Sequence, residues 1–132
     1  MPLRIRTHRE RDRGQVALEY IGFVAILLLV GLAAIQLGVA AYAANQAGTA
    51  ARAAARAASL DKPRPGEQAL DPGIAGRAAV SDWLKPDVTS AGGGGDSVAY
   101  TATLTIPSVI PGISDFGTTT RTSTMPKLQP HT

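Results

Sequence analysis

Apolar positions in this chain are gathered into one block and then scattered in short alternating runs. The block reads YIGFVAILLLVGLAAIQLGVAAYAANQAGTAA, and no charged residue falls between Glu19 and Arg52. A membrane helix needs only about 20 apolar residues, so this run is long enough to span a bilayer and continue past it. The pattern predicts one helix from about Gln15 to about Ser59. Its far part, AANQAGTAARAAARAASL, combines strong helix propensity with little apolar bulk. Arg52 and Arg56 fall one turn apart there, on one face, where they are solvated or meet lipid headgroups or an acidic partner.

The two prolines and the glycine of DKPRPGEQ end that helix and mark a linker over residues 60–70. A small unit over residues 71–132 is expected beyond it. Asp71 followed by Pro72 is an N-cap with proline at the first helical position. The short helix so started would carry Ile74, Ala78, Val80, Trp83 and Leu84 as an apolar stripe. GGGGDS lacks the lysine and hydroxyl of a phosphate-binding loop and reads as a flexible turn. SVAYTATLTIP alternates strictly, with Val98, Tyr100, Ala102, Leu104 and Ile106 on one face and Ala99, Thr101, Thr103 and Thr105 on the other. DFGTTTRTSTM is a second, more polar strand, and Pro111-Gly112 between the two suits an antiparallel hairpin on which the short helix could lie. The expected fold class is therefore α+β: a long N-terminal transmembrane helix, then a short helix and an antiparallel β-hairpin.

Composition narrows the function classes. The 132 residues hold at most one small domain besides the apolar run, and there is no cysteine, so disulfides and thiol catalysis are excluded. The two histidines, His8 and His131, sit at opposite ends of the chain, which is poor material for a metal centre or a catalytic triad. No serine, threonine or aspartate stands at a recognisable spacing from a base. The reading is a non-enzymatic protein without cofactor or metal. The formal charge of +3 is entirely N-terminal, from Arg4, Arg6, Arg9, Arg11 and Arg13 against Glu10 and Asp12, whereas the remaining chain is neutral. A nucleic-acid binder would keep a basic face on its folded part. An arginine-rich start before an apolar helix instead places the N-terminus in the cytoplasm and everything after about residue 45 outside.

Gly14 follows this basic leader, and Glu19-Tyr20 opens the apolar run. Glycine, four residues, then Glu-Tyr, between a short basic leader over residues 1–14 and an apolar helix, resembles the class III signal of bacterial type IV pilin-like proteins. The resemblance covers residues 1 to about 60 and is closest to the Flp and TadE-like group of tight-adherence pili. It implies that a membrane-embedded prepilin peptidase cuts the Gly14-Gln15 bond and methylates the new amine on Gln15. It also gives Glu19 and Tyr20 an assembly and register role. The first mature residue would be Gln15, where many pilins have phenylalanine. Membrane helix, short helix and small β unit together look more like TadE-like minor pilins than the very short Flp major subunits.

Physical reasoning runs alongside the resemblance. Cutting after Gly14 removes the five leader arginines, each of which would oppose entry into the bilayer by about 2.5–3.5 kcal/mol. It also creates an α-amine, and the amine of an adjacent subunit could neutralise Glu19 in a packed shaft. Gly31, Ala34 and Gly38 offer small surfaces for close helix packing. The implied function is a pilin-like minor pseudopilin in the assembly of a tight-adherence pilus, single-pass, with the C-terminus outside the cell membrane. Its implied partners are the membrane, other pilin subunits, the assembly machinery and the prepilin peptidase. The alternative is a single-pass signal-anchored envelope protein whose small ectodomain binds a ligand or partner. A third reading is a secreted protein cut near Ala43, where AAYAAN has the small-x-small form, although the apolar run is about twice a signal h-region.

Overall fold

The computed structural model describes residues 8–60, 65–66 and 68–128, with side chains from Gly14 onward. The leader arginine side chains, linker residues 61–64 and 67, and His131 lie outside what is described. The fold is α+β. Helix α1 spans His8–Ser59, α2 spans Pro72–Ala78, a 3₁₀ turn covers Asp82–Leu84, and three strands follow: β1 Asp87–Gly92, β2 Ser97–Pro107 and β3 Asp115–Pro126. They form one antiparallel sheet in the order β1-β2-β3. The chain clusters into two units, Met1–Ile35 and Gln36–Thr132.

In the first unit the large apolar side chains of α1 are exposed: Val16, Ile21, Phe23, Ile26 and Leu29 are all more than 60% accessible. α1 begins at His8, before the expected start at Gln15, and ends at Ser59 as expected.

The second unit is a helix laid on a sheet, and the helix is not the expected one. Ala43, Ala47, Ala50, Ala51 and Ala54 of α1 are fully buried in one cluster with Val88 of β1, Ala102 and Leu104 of β2, and Leu84 of the 3₁₀ turn. Their spacing of three and four residues is a helical stripe, and methyl-sized side chains let the helix axis approach the sheet closely. Alanine here is core material as well as a helix former. Leu84 and Leu104 are the two largest fully buried side chains, each worth about 1.5–3 kcal/mol of transfer free energy.

α2 is wedged against this core. Asp71 caps it through Oδ1, which accepts from the Ile74 N–H at 2.9 Å, with Pro72 in the first turn as expected. A Cβ on buried Gly76 would come within 3.0 Å of the Ala50 carbonyl and of Val88, so only glycine admits this approach. The apolar stripe expected over Ile74 to Leu84 does not form: α2 stops at Ala78 and the chain restarts as a 3₁₀ turn at Asp82. The 3.6-residue period therefore breaks, leaving Ile74 and Trp83 exposed and Leu84 buried. Trp83 stacks in parallel on Tyr42 with centroids 6.0 Å apart.

β2 shows the alternation read from the sequence, with Ala102 and Leu104 buried and Tyr100 and Ile106 packed at their flanks. On the other face Thr101 bonds Thr122 at 2.7 Å and Thr103 bonds Thr120 at 3.1 Å, tying β2 to β3. Ala99, assigned to that outer face, is nevertheless buried, since its methyl is short and β2 is the central strand. β1 has no counterpart among the expected elements; in it Val88 alone is buried and a bulge falls between Ser90 and Gly92. The glycine run is not a slack turn. It connects β1 to β2, closed by Ser97 N–H donating to the Gly94 carbonyl at 3.0 Å, and a Cβ on Gly93 would fall 2.2 Å from the Ser97 carbonyl oxygen. Pro111-Gly112 turns β2 into β3 as expected, with Gly112 at φ +87 and the Ile113 N–H donating to the Ile110 carbonyl at 3.2 Å. After β3 the Leu128 N–H satisfies the Ser59 carbonyl at the end of α1, at 3.2 Å.

Candidate functional site

The residues singled out at the start of the apolar run all lie on α1. Gly14 is exposed, with open space where a Cβ would stand. Gln15 and Glu19 are one helical turn apart, and the Gln15 side-chain amide reaches Glu19 Oε1 at 3.5 Å, the outer limit of a hydrogen bond. Among the described residues this is the polar contact of Glu19, and no cation faces it. Tyr20 is exposed beside it. This end of the helix thus presents a carboxylate with unused acceptor capacity above a continuous apolar surface.

Further along, Gly31 and Gly38 have nothing within 4 Å of a virtual Cβ, and Ala34 is exposed. The chain itself leaves these small surfaces unfilled. Over Gly14–Ser59 α1 is long and apolar enough to cross a membrane.

Two features escaped the sequence reading. Gln36 is only 7% exposed and acts as a bridge: its Nε2–H donates to the Pro107 carbonyl at 3.1 Å, and its Oε1 accepts from the Val109 N–H at 2.9 Å. It pairs with the backbone as a neighbouring strand would, just where β2 ends. Gln36 stands alone as an amide between Tyr20 and Asn45, and that isolation was the available signal. The second feature is a groove of about 250 Å³ between α1 and β3, lined by Ala44, Asn45, Gly48, Arg52, Arg121 and Ser123, among others. Arg52 is exposed and borders it, whereas Arg56, one turn on, is exposed and does not line it. Two guanidiniums beside a hydroxyl and an amide can hold a carboxylate.

Among the described residues no three His, Asp or Glu side chains group as a metal site requires. The arrangement offers exposed apolar surface and a hydrogen-bond acceptor.

No curated protein and no solved structure matches the chain. The comparison with protein families does return a match, and it falls on α1 from the expected processing glycine to the alanine stripe. Residues 14–56 match the family model described as TadE-like protein, the group whose resemblance Gly14, Glu19 and Tyr20 carry.

Proposed function

We propose that this chain is a pilin-like minor pseudopilin: inserted in the cell membrane by α1, cut between Gly14 and Gln15 by a prepilin peptidase, and recruited with other pilin subunits into a tight-adherence pilus. The observation that carries the reading is that the TadE-like match begins at Gly14 itself. The exposed aliphatic surface of the first unit supports it, since such a surface is stable only against lipid or other helices. The leader arginines keep the N-terminus in the cytoplasm and the Gln36–Thr132 unit outside.

The Gly14-Gln15 bond lies inside α1, so cleavage requires local unwinding. Glycine at the cut favours this, because it costs a helix about 1 kcal/mol relative to alanine. The amine freed on Gln15 of one subunit then neutralises Glu19 of the next.

Glu19→Gln separates this role from that of a merely interfacial charge. Cleavage should proceed normally because the peptidase reads Gly14, whereas self-crosslinking of the subunit in membranes should fall by two or more decades, the loss of one partner of a buried pair costing about 3–5 kcal/mol. Normal crosslinking by the processed variant removes the register role of Glu19.

A further inference from the structure

The Gln36–Thr132 unit begins at Gln36, close to the end of the apolar run. The exposed aliphatic band of α1 runs from Val16 to Leu37, a rise of about 32 Å at 1.5 Å per residue, close to the thickness of a bilayer's hydrocarbon core. Gln36 is thus one residue from the end of that band. Its amide, buried and doubly bonded, fastens the turn between β2 and β3 at this same level. The turn is apolar where a solvent-facing hairpin turn would be polar: it reads SVIPGISDF. Val109 and Ile110 are half-buried, and Ile113 and Phe116 are 46% and 45% exposed. The opposite hairpin turn of the same sheet, between β1 and β2, is GGGGD and presents no apolar side chain. About 9 Å further along α1 the Tyr42–Trp83 stack stands half exposed.

We propose that the β2–β3 turn is a second membrane contact: Val109, Ile110, Ile113 and Phe116 rest in the outer leaflet, with Gln36 fixing their depth. Asp115, between the two exposed apolar residues, accepts from the Ser114 hydroxyl and the Gly117 N–H, which holds its carboxylate at headgroup level and limits the immersion to the tips of the side chains. The turn carries no lysine or arginine, so the attraction is apolar and needs no anionic lipid. With α1 and the turn both engaged, the unit is held in one orientation on the surface, presenting a fixed face to an arriving subunit. The inference rests on α1 crossing a membrane and not on entry into a pilus.

The natural lack of cysteine makes the test direct. Full-length chains carrying Ile113→Cys, Phe116→Cys, Gly94→Cys or Leu28→Cys are spin-labelled and placed one per phosphatidylcholine nanodisc. Collisions with molecular oxygen and with a water-soluble nickel chelate are then read by paramagnetic resonance. Leu28 reports the span and Gly94 the aqueous turn. Labels at 113 and 116 should be oxygen-accessible, with nickel collisions about ten-fold fewer than at 94, because a polar chelate pays a desolvation cost to enter the leaflet. Nickel access at 113 and 116 equal to that at 94, with Leu28 shielded, overturns the contact and leaves the span intact. Shielding from both reagents means that protein and not lipid covers the turn, which also overturns it. Nickel access at Leu28 removes the span and the contact together.

Discussion

Between Val16 and Leu37 most of the large aliphatic side chains of α1 are exposed, and between Ala43 and Ala55 six of its alanine methyls are fully buried. Same backbone, opposite materials. In lipid, size carries no penalty, and leucine and isoleucine favour insertion by their area. Against a sheet, size sets the distance between layers, so the second stretch uses the smallest side chain that still removes apolar surface from water. Burial and hydrophobicity come apart along one helix, and the environment of each stretch decides which of them matters.

Perturbing each half with the residue type of the other breaks or sharpens this contrast. The largest effect belongs to the sheet side of the alanine contact: Leu104→Ala leaves a cavity under a helix that cannot move in to fill it, and should cost the Gln36–Thr132 unit about 2–5 kcal/mol. Denaturant unfolding of the full chain in micelles, followed through Trp83 and its Tyr42 stack, measures it. Ala50→Leu transplants a lipid-type residue into the buried stripe, where its backbone already meets Gly76, and should cost about 1–3 kcal/mol by overpacking in the same assay. Leu28→Ala is the reverse transplant. It should leave that unfolding midpoint unchanged and make membrane insertion less favourable by only about 0.5 kcal/mol, seen in a glycosylation-based insertion assay. If Ala50→Leu is neutral while Leu28→Ala unfolds the unit, the two halves have been assigned to the wrong environments.

The readable parts of this molecule were the local ones. The long apolar helix declared itself by length, Asp71 by its cap, β2 by alternation and Pro111-Gly112 by its turn. The alanine stripe did not, because alanine fits a solvent-exposed helix and a tightly packed one equally well. β1 was missed because a strand with a single buried residue, Val88, and a bulge has no period to detect. The stripe expected through Trp83 assumed an unbroken helix over a stretch that the chain divides in two. Gln36 acts across 71 and 73 positions, a pairing that only the folded chain displays. Of the residues proposed for processing and assembly, Gly14, Gln15 and Glu19 are named from their spacing, whereas the Gln15–Glu19 contact appears only in the helix that carries them.

The proposal that this is a processed pilin-like subunit turns on one covalent fact, and it is read most directly from the intact mass of the protein purified from membranes of cells that contain a prepilin peptidase, beside its Gly14→Val variant. The wild type should begin at Gln15, with or without a methyl group on the new amine, and the variant should keep its leader. A wild-type chain that begins at Met1 or Pro2 in the same membranes, or one cut near Ala44, contradicts it.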